Sequence, residues 1–187
     1  MKKPKEEEKP RSGAQEAYEW LQILIVSLVT IILVFTFVGR ITPVVGESML
    51  PTLHEGDVML IRDIGYTDPQ PGDIVVLTKE FDAARGPIVK RSIAVEGQTV
   101  DIDYQTGTVY VDGEALDEPY LNEPMEEPWY EDLTSVTVPA GSVFVLGDNR
   151  NHYTASRDVT LGTVDPRQLL GQAAFICFPF SDFGRIG

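Results

Sequence analysis

Twenty consecutive residues without a charge, Trp20 to Gly39 (WLQILIVSLVTIILVFTFVG), set the first limit on this 187-residue chain. A helix of that length spans about 30 Å, the thickness of a bilayer's hydrocarbon core. Trp20 opens the run and Arg40 follows it, as interfacial residues do. A cleaved leader normally has a shorter apolar region, about 7–15 residues, with a small-x-small site behind it. Val38-Gly39-Arg40 offers no such site. A buried globular helix would carry a polar face. The run therefore reads as a transmembrane anchor over residues 20–39. Residues 1–19 mix Lys2, Lys3, Lys5, Lys9 and Arg11 with Glu6, Glu7, Glu8, Glu16 and Glu19. Pro4, Pro10 and Gly13 oppose a helix there, so a disordered tail is expected. Five Lys/Arg precede the span, and only Arg40 follows within the next twenty residues. The positive-inside rule then puts the tail in the cytoplasm and residues 40–187 outside, in a single-pass arrangement.

Beyond Arg40 the pattern changes to short apolar runs separated by turns. Strands are expected at Val58–Ile61, Ile74–Thr78, Ile88–Val95, Val136–Val138, Val143–Leu146 and Gln172–Phe178. Thr99–Asp103 and Thr108–Val111 read as a hairpin across Tyr104-Gln105-Thr106-Gly107. Lys79–Pro87 reads as a loop. Glu114–Asp132, with eight carboxylates and no basic residue, reads as a solvated connection. With 16 Gly and 13 Pro, this is the profile of a loop-rich, mainly β domain. A net charge of −14, with no basic cluster past residue 11, argues against nucleic acid. The single Cys177, in AAFICFPF, reads as a buried small hydrophobe. His54 and His152 lie far apart, and no spacing resembles a metal site, so neither metal nor cofactor is expected.

Three stretches carry possible chemistry. In VVGESMLPTL (44–53), Ser48 sits between Gly46, which lets the backbone bend, and Pro51, which keeps Leu50 out of helical geometry. A serine hydroxyl is a poor nucleophile until a base takes its proton. Alone, Ser48 is better read as an ordinary turn serine. Lys90 and Arg91 interrupt the apolar strand IVKRSIAV, and alternation puts them on opposite faces, one of them towards the core. A buried lysine loses its proton readily, whereas arginine keeps its own. Lys90 can thus serve as a general base, and Arg91 suits an ion pair. On strand pattern alone, solvent-facing cations are the plainer reading. Gly147-Asp148-Asn149-Arg150, after the strand Val143–Leu146, is a tight-turn signal.

Together these stretches resemble the bacterial type I signal peptidases, membrane-bound Ser/Lys endopeptidases. Pro71-Gly72-Asp73-Ile74-Val75, Val109-Tyr110-Val111-Asp112-Gly113, Glu118-Pro119-Tyr120-Leu121, Phe178-Pro179-Phe180 and Arg185-Ile186-Gly187 extend the resemblance from the anchor to the C-terminus. It implies a coiled antiparallel β-sheet catalytic domain with a second small β region, behind one transmembrane helix. Ser48 would be the nucleophile and its N–H the oxyanion donor, with Lys90 as general base. Met49 and Pro51 would shape the cleft. Gly46 stands where some members carry a second, side-chain oxyanion donor. Arg91, Gly147, Asp148, Asn149, Arg150, Tyr153, Ser156 and Arg157 would support the site. Pro51 excludes S-x-x-K chemistry of the β-lactamase kind. The implied partners are signal-peptide-bearing preproteins and the lipid bilayer.

The third motif departs from the family's Gly-Asp-Asn-Arg-x-x-Ser-x-Asp-Ser-Arg. Tyr153 stands at the first serine, which in the family hydrogen-bonds the lysine, and Ala155 at the aspartate. Ala94 and Glu96 depart in the stretch before Gly97. These changes imply a slower or narrower enzyme. The competing expectation is a non-catalytic or single-substrate paralogue. A self-cleaving repressor would need a DNA-binding domain in place of the anchor.

Overall fold

The computed structural model describes residues 13–37, 39–62, 65–79, 86–126, 133–151 and 162–186. They fall into two compact units, one within Met1–Val38 and one from Gly39 onward. The first is a single helix, α1 (Gly13–Phe37). It starts ahead of Trp20, so residues 13–19, expected in a disordered tail, are helical. Every described side chain up to Leu33 is exposed. The helix is long and apolar enough to cross a membrane. Thr30 donates its hydroxyl to the Val26 carbonyl at 2.8 Å, which satisfies this polar group within the helix.

In the second unit a short 3-10 helix, Pro166–Gln168, precedes the last long strand, and every described strand pair of this unit is antiparallel. Its strands are β1 (Arg40–Pro43), β2 (Val58–Arg62), β3 (Ile74–Leu77), β4 (Ile88–Val95), β5 (Thr99–Asp103), β6 (Thr108–Val111), β7 (Glu114–Ala115), β8 (Ser135–Thr137), β9 (Val143–Leu146), β10 (Leu169–Phe178) and β11 (Gly184–Arg185). The larger sheet runs β1-β2-β10-β3-β4-β9, with β11 also on β10. The smaller runs β7-β6-β5-β8. This matches the expected catalytic sheet with a second small β region. The expected hairpin is β5–β6, paired Asp103 to Thr108 across the turn.

Sheet order explains which strands are apolar throughout. Strands β3 (IVVL) and β9 (VFVL) are buried at every position, so both faces need hydrophobic side chains. One face of the large sheet joins the small one: Ile93, Ala94, Phe144 and Leu146 pack with Val100, Ile102 and Val109. A second cluster packs Val44, Met49 and Leu53 with Met59, Ile61, Ile74 and Val76. A third gathers Val75, Leu77, Val143, Val145 and Val164. Strand β10 crosses the sheet centre with several register shifts, against β2 and against β3. Such bulges bend a strand and increase its twist, which suits a coiled sheet.

Candidate active site

The segment from β1 to β2 turns through Gly46 to Leu50. Gly46 holds φ at +86°, a left-handed conformation that non-glycine residues adopt at a cost. The Leu50 N–H then donates to the Glu47 carbonyl (3.2 Å) and the Leu53 N–H to the Met49 carbonyl (2.9 Å). Met49 and Leu53, 1% and 0% exposed, pin this turn to the core. Met49 therefore shapes the site from beneath, not as an open cleft wall, whereas Pro51 is exposed.

Strand β4 lies between β3 and β9, with Lys90 opposite Val75 and Arg91 opposite Ile74 and Leu146. Alternation turns the two cations to opposite faces, as expected. Both faces are covered, however, so both cations are buried, at 0% and 4% exposure. The Lys90 Nζ stands 2.6 Å from Ser48 Oγ. Burial pulls the lysine pKa down from 10.5 to about 7, and the nearby Asp148 carboxylate opposes that shift. Near neutral pH, then, much of Lys90 is an amine able to accept a hydrogen bond from the Ser48 hydroxyl; when charged, it donates to the same oxygen.

The turn after β9 clamps the Ser48 turn. The Asn149 N–H donates to the Ser48 carbonyl at 3.1 Å, and Asn149 Nδ2 donates to the Glu47 carbonyl at 3.2 Å. At Gly147 a Cβ would stand 2.4 Å from the Ser48 carbonyl oxygen, so only glycine permits this approach. Asp148, fully buried, receives both Arg91 Nε (2.8 Å) and Nη2 (2.7 Å) as well as the Thr52 hydroxyl. Arg91 also donates to the Gly72 carbonyl at 3.1 Å and lies over the Tyr120 ring, 3.9 Å from its centroid. Tyr120 donates to Glu118 Oε1 at 3.0 Å. Burial, then the Glu118 charge, raises the Tyr120 pKa, so the phenol keeps its proton. Glu118 takes both Nη groups of the buried Arg150, whose Nε donates to the Gly147 carbonyl at 2.9 Å.

The structure thus brings together Gly46, Ser48, Met49, Lys90, Arg91, Gly147, Asp148, Asn149 and Arg150. Tyr153, Ala155, Ser156 and Arg157 lie outside the described residues. Sequence reasoning gave no role to Thr52, Glu118 or Tyr120. Glu118 and Tyr120 stood within a recognised motif, but only tertiary contact links them to Arg91 and Arg150. Among the described residues, no group of acidic, histidine or cysteine side chains could hold a metal ion.

A family model for signal peptidase, peptidase S26, matches residues 17–178. The chain belongs to the signal peptidase family. A probable signal peptidase I-1 of Synechocystis sp. is 38% identical over 90% of this chain and 86% of its own length. A signal peptidase I of Bacillus licheniformis is 33% identical over 96% of this chain and 98% of its own. A signal peptidase IB of Staphylococcus aureus is 33% identical over 90% and 93%. A crystal structure of a signal peptidase I from Enterococcus faecalis has 31% identity and a TM-score of 0.46, covering 58% of this chain and 98% of that one. Membership of the signal peptidase family, with one apolar N-terminal helix, fits a membrane-anchored peptidase.

Proposed function

We propose that this chain is a membrane-anchored serine endopeptidase that removes N-terminal signal peptides from exported preproteins. One observation carries the chemistry: a buried lysine amine 2.6 Å from the hydroxyl of Ser48. In this reading the Lys90 amine takes the Ser48 proton as Oγ attacks the scissile carbonyl, then returns it to the leaving amine. A water, deprotonated by the same amine, then hydrolyses the Ser48 ester. The Ser48 N–H is the oxyanion donor. Gly46 adds no side-chain donor, and nothing lies within 4 Å of where its Cβ would stand. Losing such a donor costs about 10²–10³ in rate where nothing replaces it. The tail is cytoplasmic and the β unit extracytoplasmic, on the Lys/Arg asymmetry about the span.

An apolar face supports work at the bilayer surface. Ile41, Leu60 and Phe175 stand side by side across β1, β2 and β10, and Pro43, Val58 and Phe178 form a parallel row. Register partners share a sheet face. Ile41, Phe175 and Phe178 are 40–53% exposed, and Phe180 and Phe183 stack on this edge.

Cleavage of a model preprotein by the full-length protein in lipid or detergent, beside Ser48→Ala, tests the reading. Cutting after a small-x-small site by the wild type alone is expected. Equal cleavage by Ser48→Ala would remove Ser48 from the role. No observation favours the non-catalytic alternative over this reading.

A further inference from the structure

Ser92 is fully buried. Among the described residues, its Oγ is the buried side-chain polar atom without a hydrogen-bond partner. It stands two residues beyond Lys90 on β4, opposite Val145, while Lys90 stands opposite Val75. Residues two apart on a strand point to the same face, about 7 Å apart. Around Lys90 that face is lined by Val75, Leu77, Val143 and Val145, with Ile88 packed against them; beyond Ser92 it carries Asp73, which accepts from Gln172 Nε2 (2.6 Å) and from the Tyr66 hydroxyl (2.8 Å). An unpaired hydroxyl in such surroundings costs free energy, and alanine or valine would avoid that cost. Both Asp73 carboxylate oxygens already accept from Tyr66, Gln70 and Gln172, so Lys90 is the group on this face that the Ser92 hydroxyl would serve.

We propose that Ser92 is a positioning residue for Lys90, its hydroxyl holding the lysine amine, directly or through one water, once Ser48 Oγ is esterified. In the structure Lys90 meets the free Ser48 hydroxyl. Esterification removes that hydroxyl's proton and part of its hydrogen-bonding capacity. A hydroxyl on the same face then orients the amine for the hydrolytic water. Hydroxyl and amine suit each other in either state: the hydroxyl donates to a neutral amine and accepts from an ammonium. The charged group acting on Lys90 from the neighbouring elements is Asp148, at the end of β9, which favours the ammonium. Arg91, on the opposite face of β4, is bound to that same Asp148. The inference rests on the Ser48/Lys90 reading above.

The test compares Ser92→Ala and Ser92→Thr with the wild type, each full-length in detergent. A hydroxyl stabilises an ammonium more than an amine, because the bond to the charged form is the stronger. Its removal should therefore move the acid limb of the kcat profile to lower pH. Loss of positioning after esterification should lower kcat about tenfold and KM with it, leaving kcat/KM unchanged. The melting temperature of Ser92→Ala should equal or exceed that of the wild type. Ser92→Thr, which keeps the hydroxyl, should keep the wild-type limb even where its extra methyl lowers stability. Wild-type kcat and pH limb in a folded Ser92→Ala would overturn this inference alone. If Ser92→Ala fails to fold, a shifted limb in Ser92→Thr would overturn it instead. Activity that survives Ser48→Ala would remove both readings.

Discussion

Lys90 occupies a place where leucine or methionine would pack, between β3 and β9 with no exposed surface. Burial disfavours its ammonium and brings its pKa from 10.5 to about 7. Peptidase activity should therefore be lost in acid and rise through about pH 7 as the amine forms. A rate profile flat across neutrality would take the base role from Lys90. The same shift acts on stability. Below pH 7 both the folded and unfolded chains protonate Lys90, and the folded state bears the cost of a buried charge. Between about 7 and 10.5 the folded state holds fewer protons there than the unfolded chain, so its contribution to stability rises with pH. Lys90→Met removes that slope. It should be more stable than the wild type near neutrality, by a margin that narrows towards pH 10.5 in denaturant titrations. A margin independent of pH would mean that Lys90 ionises as an exposed lysine does. The residue pattern alone left a solvent-facing Lys90 as the plainer choice. What buries it is the sheet order, which no local stretch of sequence contains.

Two turns from distant parts of the chain make the site, and the second holds the first. Residues 47 and 48 offer their carbonyls, and Asn149 bonds both. Gly147 is the closest point of approach, with space for hydrogen only. Gly147→Ala should push the turns apart and destabilise the domain by about 1–3 kcal/mol, as overpacking does. It should also lower kcat more than it raises KM, because Ser48 would leave the reach of Lys90. Thermal melting and steady-state kinetics on the same preparation check this; an unchanged kcat would show that the clamp does not position Ser48. Legibility at this scale followed element length. The longer apolar runs, β2 to β6 and β9, lie close to where alternation and turn residues put them. Four features escaped: β1, with Pro43 at its end; the two-residue β7 and β11; and the first residues of β10. Short pairings like these are set by a partner's register more than by their own composition. The start of α1 escaped too, because Gly13 reads as a helix breaker and here begins the helix.

At the scale of the whole molecule, the chain divides its apolar surface between a helix long enough to cross a membrane and a sheet face. The helix was legible from an uncharged run. The face was not, because Ile41, Leu60 and Phe175 are far apart in sequence and become neighbours only through the pairing of β1, β2 and β10. A water-facing sheet would alternate polar residues into these positions. Phe178, Phe180 and Phe183 are instead 53%, 81% and 63% exposed. Aromatic side chains of this kind gain free energy at a headgroup boundary and lose it in water. If lipid covers this face, Phe178→Ser with Phe180→Ser and Phe183→Ser should slow cleavage of a preprotein inserted in vesicles. Cleavage of a short soluble peptide carrying the same small-x-small site should proceed at the wild-type rate, since none of the three touches Ser48 or Lys90 among the described contacts. Equal slowing of both substrates would place the effect in folding or in the site. Equal rates on both would mean that the anchor alone brings enzyme and substrate together, and that the phenylalanines serve some other contact.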